Sequence, residues 1–151
     1  MKKIIVTSDS HGDTYLLKQI ASKHNDAIAY LHAGDSLDFE ANLYPFVTIK
    51  GNNDYYISQE SKTINIEPLR IYMTHGHKMY LKEENMVAKA KQLDCNMFIY
   101  GHTHVPFYQV VDGVHLLNPG ACRYSRSIIG ATYAIITISD NQEIDVTFET
   151  I

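Results

Sequence analysis

Short apolar runs and polar loops follow one another regularly through the first half of the chain. The first run, Ile4 to Val6, is β-branched and bounded by polar residues, as is typical of a strand buried on both faces. Apolar residues at helical spacing follow it, capped by Asp13 or Thr14 and ending near His24-Asn25, so we predict a helix there. Two more strands are predicted over residues 27–31 and 46–50. This order of strand, polar loop and helix is that of an α/β protein.

The second half is richer in strands, because pairs of short apolar runs flank turn residues. Asp112-Gly113 lies between two such runs and is a strong signal for a two-residue hairpin turn. Pro68-Leu69 and Asp140-Asn141 separate two further pairs, and the helical pattern in this half is Glu83–Leu93. The predicted strands are 63–66, 70–74, 98–100, 106–111, 114–117, 132–138 and 144–148. We therefore predict a layered α/β fold on two sheets, with functional residues at the carboxyl ends of strands.

Composition and charge narrow the class of protein. A hydrophobic share of 45% without low-complexity or linker stretches indicates one domain over residues 1–151. The net charge of -4 is spread along the chain, so we expect no stable nucleic-acid complex and no membrane association. Cys95 and Cys122 form no C-x-x-C motif, and the apolar start is too short for a signal peptide or a membrane span. Together these features predict a cytoplasmic protein.

Side chains that can bind metal ions stand in five loops, each directly after a predicted strand. In an extended segment alternate side chains leave the same face, so we expect His102 and His104 to point into one cavity. Asp9 and His11 have the same spacing and carry the same expectation. The remaining candidates are Asp35, Asn52, and His75 with His77. Carboxylate, amide and imidazole ligands without a thiolate suit divalent Mn, Fe, Ni or Zn better than a sulfur-ligated structural site.

Taken in order, these loops resemble the sequence blocks of the calcineurin-like metallophosphoesterase superfamily, which are DxH, GDxxD, GN, a later H and GHxH. The blocks stand here as Asp9-Ser10-His11, Gly34-Asp35-Ser36-Leu37-Asp38, Gly51-Asn52, His75 and Gly101-His102-Thr103-His104. Each block is short, but five in the correct order make a specific match that covers nearly the whole chain. The compact size and the stretches His75-Gly76-His77 and Asn118-Pro119-Gly120 are most similar to the small bacterial and archaeal phosphodiesterase branch.

The resemblance implies a fold and a ligand set. The fold is a four-layer α-β-β-α sandwich of two facing mixed β-sheets flanked by helices. One metal is assigned to Asp9, His11 and His104, and a second to Asn52, His75 and His102, with Asp35 bridging the two. We expect two divalent ions, with Mn as the first choice and Ni, Fe or Zn as alternatives. Two such ions about 3.5 to 4 Å apart can share a hydroxide that attacks phosphorus in line, so no side-chain nucleophile is required. The expected substrate is a small phosphoester.

Asn53 is a departure from many larger members of the family, which carry histidine just after the motif asparagine. An amide cannot deliver a proton at neutral pH. We therefore expect a preference for leaving groups that depart readily, or protonation by His77 or water. The roles predicted on this basis are catalytic for Asp35, Asn52 and His77, and substrate-binding for Asn53 and Arg123.

Several residues keep two interpretations. Arg123 and Arg126 either clamp phosphate or are ordinary exposed loop arginines. Tyr55-Tyr56 either stacks on an aryl or nucleoside group or forms a packing patch, including one at a subunit contact of a homo-oligomer. His77 either contacts substrate or supports a ligand. His32 is predicted either to support a ligand from behind or simply to pack, and not to bind metal itself. Asp38 and Asp54 are predicted to be acceptors behind the ligands or loop caps, and His24 and His115 to lie at the surface.

Three functions follow from these patterns. A metal-dependent phosphodiesterase is favoured, because all seven ligand positions of the family are filled. A phosphomonoesterase is an alternative within the enzyme class, and Asn53 argues against it. The third is a non-catalytic interaction module, because the same fold resembles the retromer scaffold subunit and the fold alone does not choose between these functions.

Overall fold

Ten strands and two α-helices make up the fold in the computed structural model, which describes residues 1–151. The elements are β1 (Lys2–Thr7), α1 (Thr14–Lys23), β2 (Ala29–His32), β3 (Val47–Thr48), β4 (Ser61–Ile66), β5 (Leu69–Thr74), α2 (Glu83–Gln92), β6 (Met97–Ile99), β7 (Phe107–Val111), β8 (Val114–Asn118), β9 (Thr132–Ile138) and β10 (Ile144–Thr150). A 3₁₀ turn at Glu40–Leu43 precedes β3. Neither α-helix has the length and apolar composition that crossing a bilayer would require.

The strands form two five-stranded sheets, in the orders β10-β9-β1-β2-β3 and β4-β5-β6-β8-β7. Both sheets are mixed: β1, β2 and β3 run parallel in one, and β5, β6 and β8 run parallel in the other, while the hairpin strands pair antiparallel. Parallel neighbours end at the same edge of a sheet. The loops after β1, β2 and β3 therefore leave one edge of the first sheet, and those after β5 and β6 leave one edge of the second.

Three apolar clusters hold the layers together. The largest lies between the sheets and includes Ile4 and Val6 of β1 with Ile71 and Met73 of β5. Leu17 and Ile20 are among the residues that pack α1 on the outer face of the first sheet, and Met86 and Ala90 do the same for α2 on the second. These contacts confirm the four-layer α-β-β-α arrangement.

The predicted hairpins and both helices are confirmed, and Asp13 caps α1 by accepting a hydrogen bond from the Leu16 N–H at 3.1 Å. The third strand is shorter than predicted, because β3 pairs with β2 at only two positions before the chain leaves the sheet. The surface prediction for His24 is wrong. His24 is buried, and its Nε2 lies 2.7 Å from the Tyr133 hydroxyl.

Candidate metal centre

The loops after β1, β2, β5 and β6 bring carboxylates and imidazoles together where the two sheets meet. The candidate ligands form two groups, and within each group all the ligand atoms lie within 4.8 Å of one another. One group consists of Asp9, His11 and His104, and the other of Asp9, Asp35 and His75. Asp9 belongs to both groups. The residues that the sequence places in separate loops thus share one buried cluster, centred on two carboxylates.

The prediction that an extended backbone points these side chains inward is wrong. His102 and His104 have φ angles of 69° and 62°, and Asp9, His11 and Asp35 have φ angles of 53°, 44° and 61°. This left-handed region is uncommon for residues with a Cβ atom. Such conformations persist where the surrounding structure enforces them, and they concentrate at functional sites. The side chains converge because each loop turns sharply after its strand, and strand alternation plays no part.

The distances within the cluster fit ligands of shared cations. Asp9 Oδ1 lies 3.2 Å from His104 Nε2, 3.7 Å from His11 Nε2 and 3.7 Å from His75 Nε2. Asp35 Oδ2 lies 3.8 Å from His11 Nε2 and 3.5 Å from His75 Nε2. Ligand atoms about 2.0 to 2.2 Å from one ion are separated by about 3 to 4 Å.

Three buried polar atoms in the cluster have no hydrogen-bond partner: Asp9 Oδ1, His11 Nε2 and His75 Nε2. An unsatisfied buried acceptor costs about 1 to 3 kcal/mol, so three that face one another indicate a missing partner. His75 Nδ1 donates to the Ala33 carbonyl at 2.8 Å, which leaves Nε2 facing the carboxylates. A divalent cation binds a carboxylate oxygen and an imidazole nitrogen at the same time. The residues therefore fit a divalent cation.

Two glycines allow the backbone to approach the carboxylates. A Cβ on Gly51 would overlap the Asp35 carboxylate, and a Cβ on Gly101 would overlap Ser8 Oγ and lie 2.7 Å from Asp9 Oδ2. Larger residues at these positions would push the ligands out of place. This explains in physical terms why the loops with Asn52 and His102 begin with glycine.

Further residues orient the ligands from behind. Ser8 Oγ donates to Asp9 Oδ2 at 2.5 Å, and His104 Nδ1 donates to the Tyr124 carbonyl at 2.8 Å. The Asp54 carboxylate accepts from the backbone N–H of Asp35 and of Gly51, both at 2.8 Å. Such partners fix the tautomer and direction of a ligand. The predicted supporting role of Asp54 agrees with these contacts. Ser8 is not among the predicted residues, although its position between a buried strand and Asp9 could have suggested it. No local pattern in the sequence indicates the role of the Tyr124 carbonyl.

The charges in the cluster favour a bound cation. Burial alone would raise the pKa of the Asp9 carboxyl, but the imidazoles of His104, His11 and His75 lower it far below its usual range. Burial opposes the same shift at Asp35, where His75 and Asn53 lower the pKa to about 2. Asp9 raises the pKa of His104. Both carboxylates are thus ionised and draw positive charge to the cluster, and a metal ion would take the place of the imidazole protons.

The other predicted residues lie at the rim. Asn52 and Asn53 are both exposed, and Asn53 donates to the two oxygens of Asp35 through its backbone N–H at 2.9 Å and its Nδ2 at 2.8 Å. His77 is half-buried, with an unpartnered Nδ1, and its ring centroid lies 6.3 Å from that of His102. Burial, followed by the positive charge of His75, lowers the pKa of His77. Arg123 is paired with Asp13 through Nε at 2.9 Å, beside a cavity of about 420 Å³ that His11 also lines.

Fold and cluster together define an α-β-β-α protein with a candidate metal centre at the edge of two sheets. A family model described as the calcineurin-like phosphoesterase superfamily domain matches residues 1–141. The chain belongs to this superfamily. A probable metallophosphoesterase from Mycoplasma pneumoniae is 30% identical over 98% of this chain and 97% of its own length. A Methanocaldococcus jannaschii protein named as a phosphodiesterase is 28% identical over 80% of this chain and 84% of its own length.

Solved structures show the same fold. A predicted phosphoesterase from Streptococcus pneumoniae superposes with a TM-score of 0.89 at 29% identity, covering 99% of this chain and 89% of the other. Wild-type Vps29 from Entamoeba histolytica, solved with zinc, gives a TM-score of 0.74 at 21% identity, covering 97% and 98%. The likeness to Vps29 is one of fold alone.

Proposed function

We propose that this protein is a phosphodiesterase that uses two divalent metal ions, with Mn as the first choice and Ni, Fe or Zn as alternatives. The observation that carries the proposal is the set of unpartnered buried atoms, Asp9 Oδ1, His11 Nε2 and His75 Nε2, that face one another within the cluster. Residues 1–151 would act as one catalytic domain. The name of the archaeal relative supports the choice of a diester as substrate.

The chain's own residues would divide the work as follows. Asp9, His11 and His104 would hold one ion, and His75, His102 and Asn52 the other, with Asp35 between them. Bound ions of this kind activate water for attack on phosphorus and neutralise charge on the phosphoryl oxygens. Ser8 and Asp54 would keep the two carboxylates aimed at the cluster, through the bonds that they form with Asp9 and with the loop of Asp35.

The second part of the proposal concerns which group protonates the leaving group. The Asn53 side chain lies against Asp35 Oδ2, where an amide can donate a hydrogen bond but cannot transfer a proton. Two sources of a proton are then His77 and water. Either source favours esters whose leaving groups depart readily, and among them diesters with an acidic alcohol.

The test is hydrolysis of bis(p-nitrophenyl) phosphate and of p-nitrophenyl phosphate by metal-stripped protein, reloaded with Mn, Ni, Fe or Zn. We expect activity to return with metal and to be greater on the diester. Asp35→Asn and His75→Ala should abolish this activity. His115→Ala is the control and should leave the activity unchanged, because His115 bonds to the Tyr108 hydroxyl and is not a candidate ligand. Inert protein under every metal, together with tight binding of a protein partner, would favour the interaction module instead.

A further inference from the structure

Two exposed aromatic rings stack on each other, on loops that also carry candidate metal ligands. The rings of Phe39 and Tyr56 are nearly parallel, with centroids 4.1 Å apart and an interplanar angle of 28°. Both remain largely exposed, Phe39 at 53% and Tyr56 at 61%, and the neighbouring Tyr55 is 88% exposed. Apolar rings clustered at the surface are typical of binding sites when they stand next to polar chemistry.

The stack is built from the same two loops that carry Asp35 and Asn52. Phe39 belongs to the loop after β2 and Tyr56 to the loop after β3. The Asp54 carboxylate joins these loops, because it accepts from the N–H of Gly51 in one and from those of Asp35 and Leu37 in the other. A single buried side chain therefore holds together the two loops that carry the rings and the candidate ligands.

The backbone on either side of each ring is also held. Tyr55 and Tyr56 lie between two buried residues, Asp54 and Ile57. The Phe39 N–H donates to Asp38 Oδ1 at 2.7 Å, and Thr14 Oγ1 donates to Asp38 Oδ2 at 2.6 Å. The exposed rings thus stand on a rigid base, and a ligand would lose little free energy in ordering them.

The distance along the chain suits a phosphoester. Asn53 contacts Asp35, and Tyr56 is three residues further on. Three residues of extended chain span at most about 11 Å. The backbone of Tyr56 therefore lies within about 11 Å of that of Asn53, which contacts the candidate ligand Asp35.

We propose that Phe39 and Tyr56 form an aromatic platform that binds the planar ester group of the substrate, so that the preferred phosphoesters carry an aryl group or a nucleobase. This inference rests on the proposed function for the position of the phosphate. Stacking on an aromatic side chain is tolerant of the identity of the ring, because every such ring offers a π face. The platform would select for aromaticity and leave the choice of ring open.

Binding of matched ligand pairs to manganese-loaded protein tests the platform, measured by isothermal titration calorimetry. AMP and ribose 5-phosphate share the sugar phosphate and differ in the base, while phenyl phosphate and ethyl phosphate differ in the aryl ring. We expect the aromatic member to bind at least about fivefold more tightly, the lower end of what base stacking contributes. Preference within the first pair alone identifies a nucleobase site, and preference within both identifies a general aryl site.

Tyr56→Leu and Phe39→Leu keep apolar bulk and remove the rings. Each should bring the affinity ratio within a pair towards one and leave the affinity for ribose 5-phosphate unchanged. Tyr80→Leu is the matched control, since Tyr80 is 80% exposed and stands outside both loops. A ratio near one in the native protein, an unchanged ratio in the variants, or equal losses for both ligands would overturn the platform.

Two further outcomes distinguish the platform from a subunit contact and from the phosphodiesterase proposal. A shift of the variants to a smaller species in sedimentation, with an unchanged ligand ratio, would assign the stack to a subunit contact and overturn the platform. Binding does not require turnover. A protein that prefers AMP but hydrolyses no ester would therefore support the platform and overturn the phosphodiesterase activity. An active enzyme without a ligand preference would support the activity and overturn the platform.

Discussion

The two halves of the candidate metal centre are built to different degrees. Around Asp9, the atoms of His11 and His104 already lie at ligand distances, and the Tyr124 carbonyl sets the tautomer of His104. Around Asp35, only His75 joins Asp9 in a comparable group, while Asn52 is exposed and His102 is half-buried. The three ligand atoms of the first half thus lie within 4.8 Å of one another, whereas His102 joins no such group in the second. Because ordering costs conformational entropy, we expect the first position to bind metal more tightly.

Replacing Asp35, the carboxylate proposed to bridge the two ions, should have the largest effect. Asp35→Asn keeps the shape of the side chain but removes the negative charge that both ions would share. Loss of supporting partners alone costs about 10- to 100-fold in metal affinity or activity, so loss of this ligand should exceed about 100-fold in phosphodiester hydrolysis. Equal loss of metal from both positions, measured by elemental analysis, would agree with a bridging role. A variant that still binds two ions would refute it.

The histidines of the GHxH block separate the halves. His104→Ala should remove the ion of the first half, and His102→Ala that of the other, so that each variant holds about one ion in place of two. Calorimetric titration of the metal-stripped native protein should show two affinities, and His104→Ala should lack the tighter one. Loss of both ions in either variant would show that the halves fill only together.

The support behind the second half has a smaller expected effect. Asp54→Ala removes the acceptor of three backbone N–H groups in the loops of Asp35 and Gly51. We expect the free energy of unfolding to fall by about 2 kcal/mol. The metal affinity of the second site should fall by about 10- to 100-fold. Chemical denaturation and metal titration measure these changes. Asp145→Ala, at an exposed position of β10, is the control and should change neither.

The smallest expected effect concerns proton delivery. Asn53→His places a titratable group next to Asp35, and we expect about tenfold faster hydrolysis of diesters with poor leaving groups, below the range of an optimised general acid. Rates on p-nitrophenyl esters should hardly change. Asn53→Ala separates this gain from the loss of the bond to Asp35. Unchanged rates on poor leaving groups would show that protonation of the leaving group does not limit turnover.

Local patterns determined most of the fold. The β-branched run of β1, the Asp13 cap of α1 and the Asp112-Gly113 turn act through neighbours in sequence, and each appears where predicted. The family resemblance, which rests on five short blocks in order, also implied the four layers. The prediction for His24 failed because its burial depends on Tyr133, which is 109 residues away.

The sequence by itself determined which donors the chain offers and in which loops they stand. Only the tertiary structure decided how they meet: the left-handed backbone at His102 and His104 replaces the expected strand alternation, and Asp9 belongs to both ligand groups. The stack of Phe39 on Tyr56 likewise forms between residues of two loops, and Asp54 holds these loops together. Such features depend on contacts between distant segments, whose energies no local pattern contains, and so they become visible only when both sheets are in place.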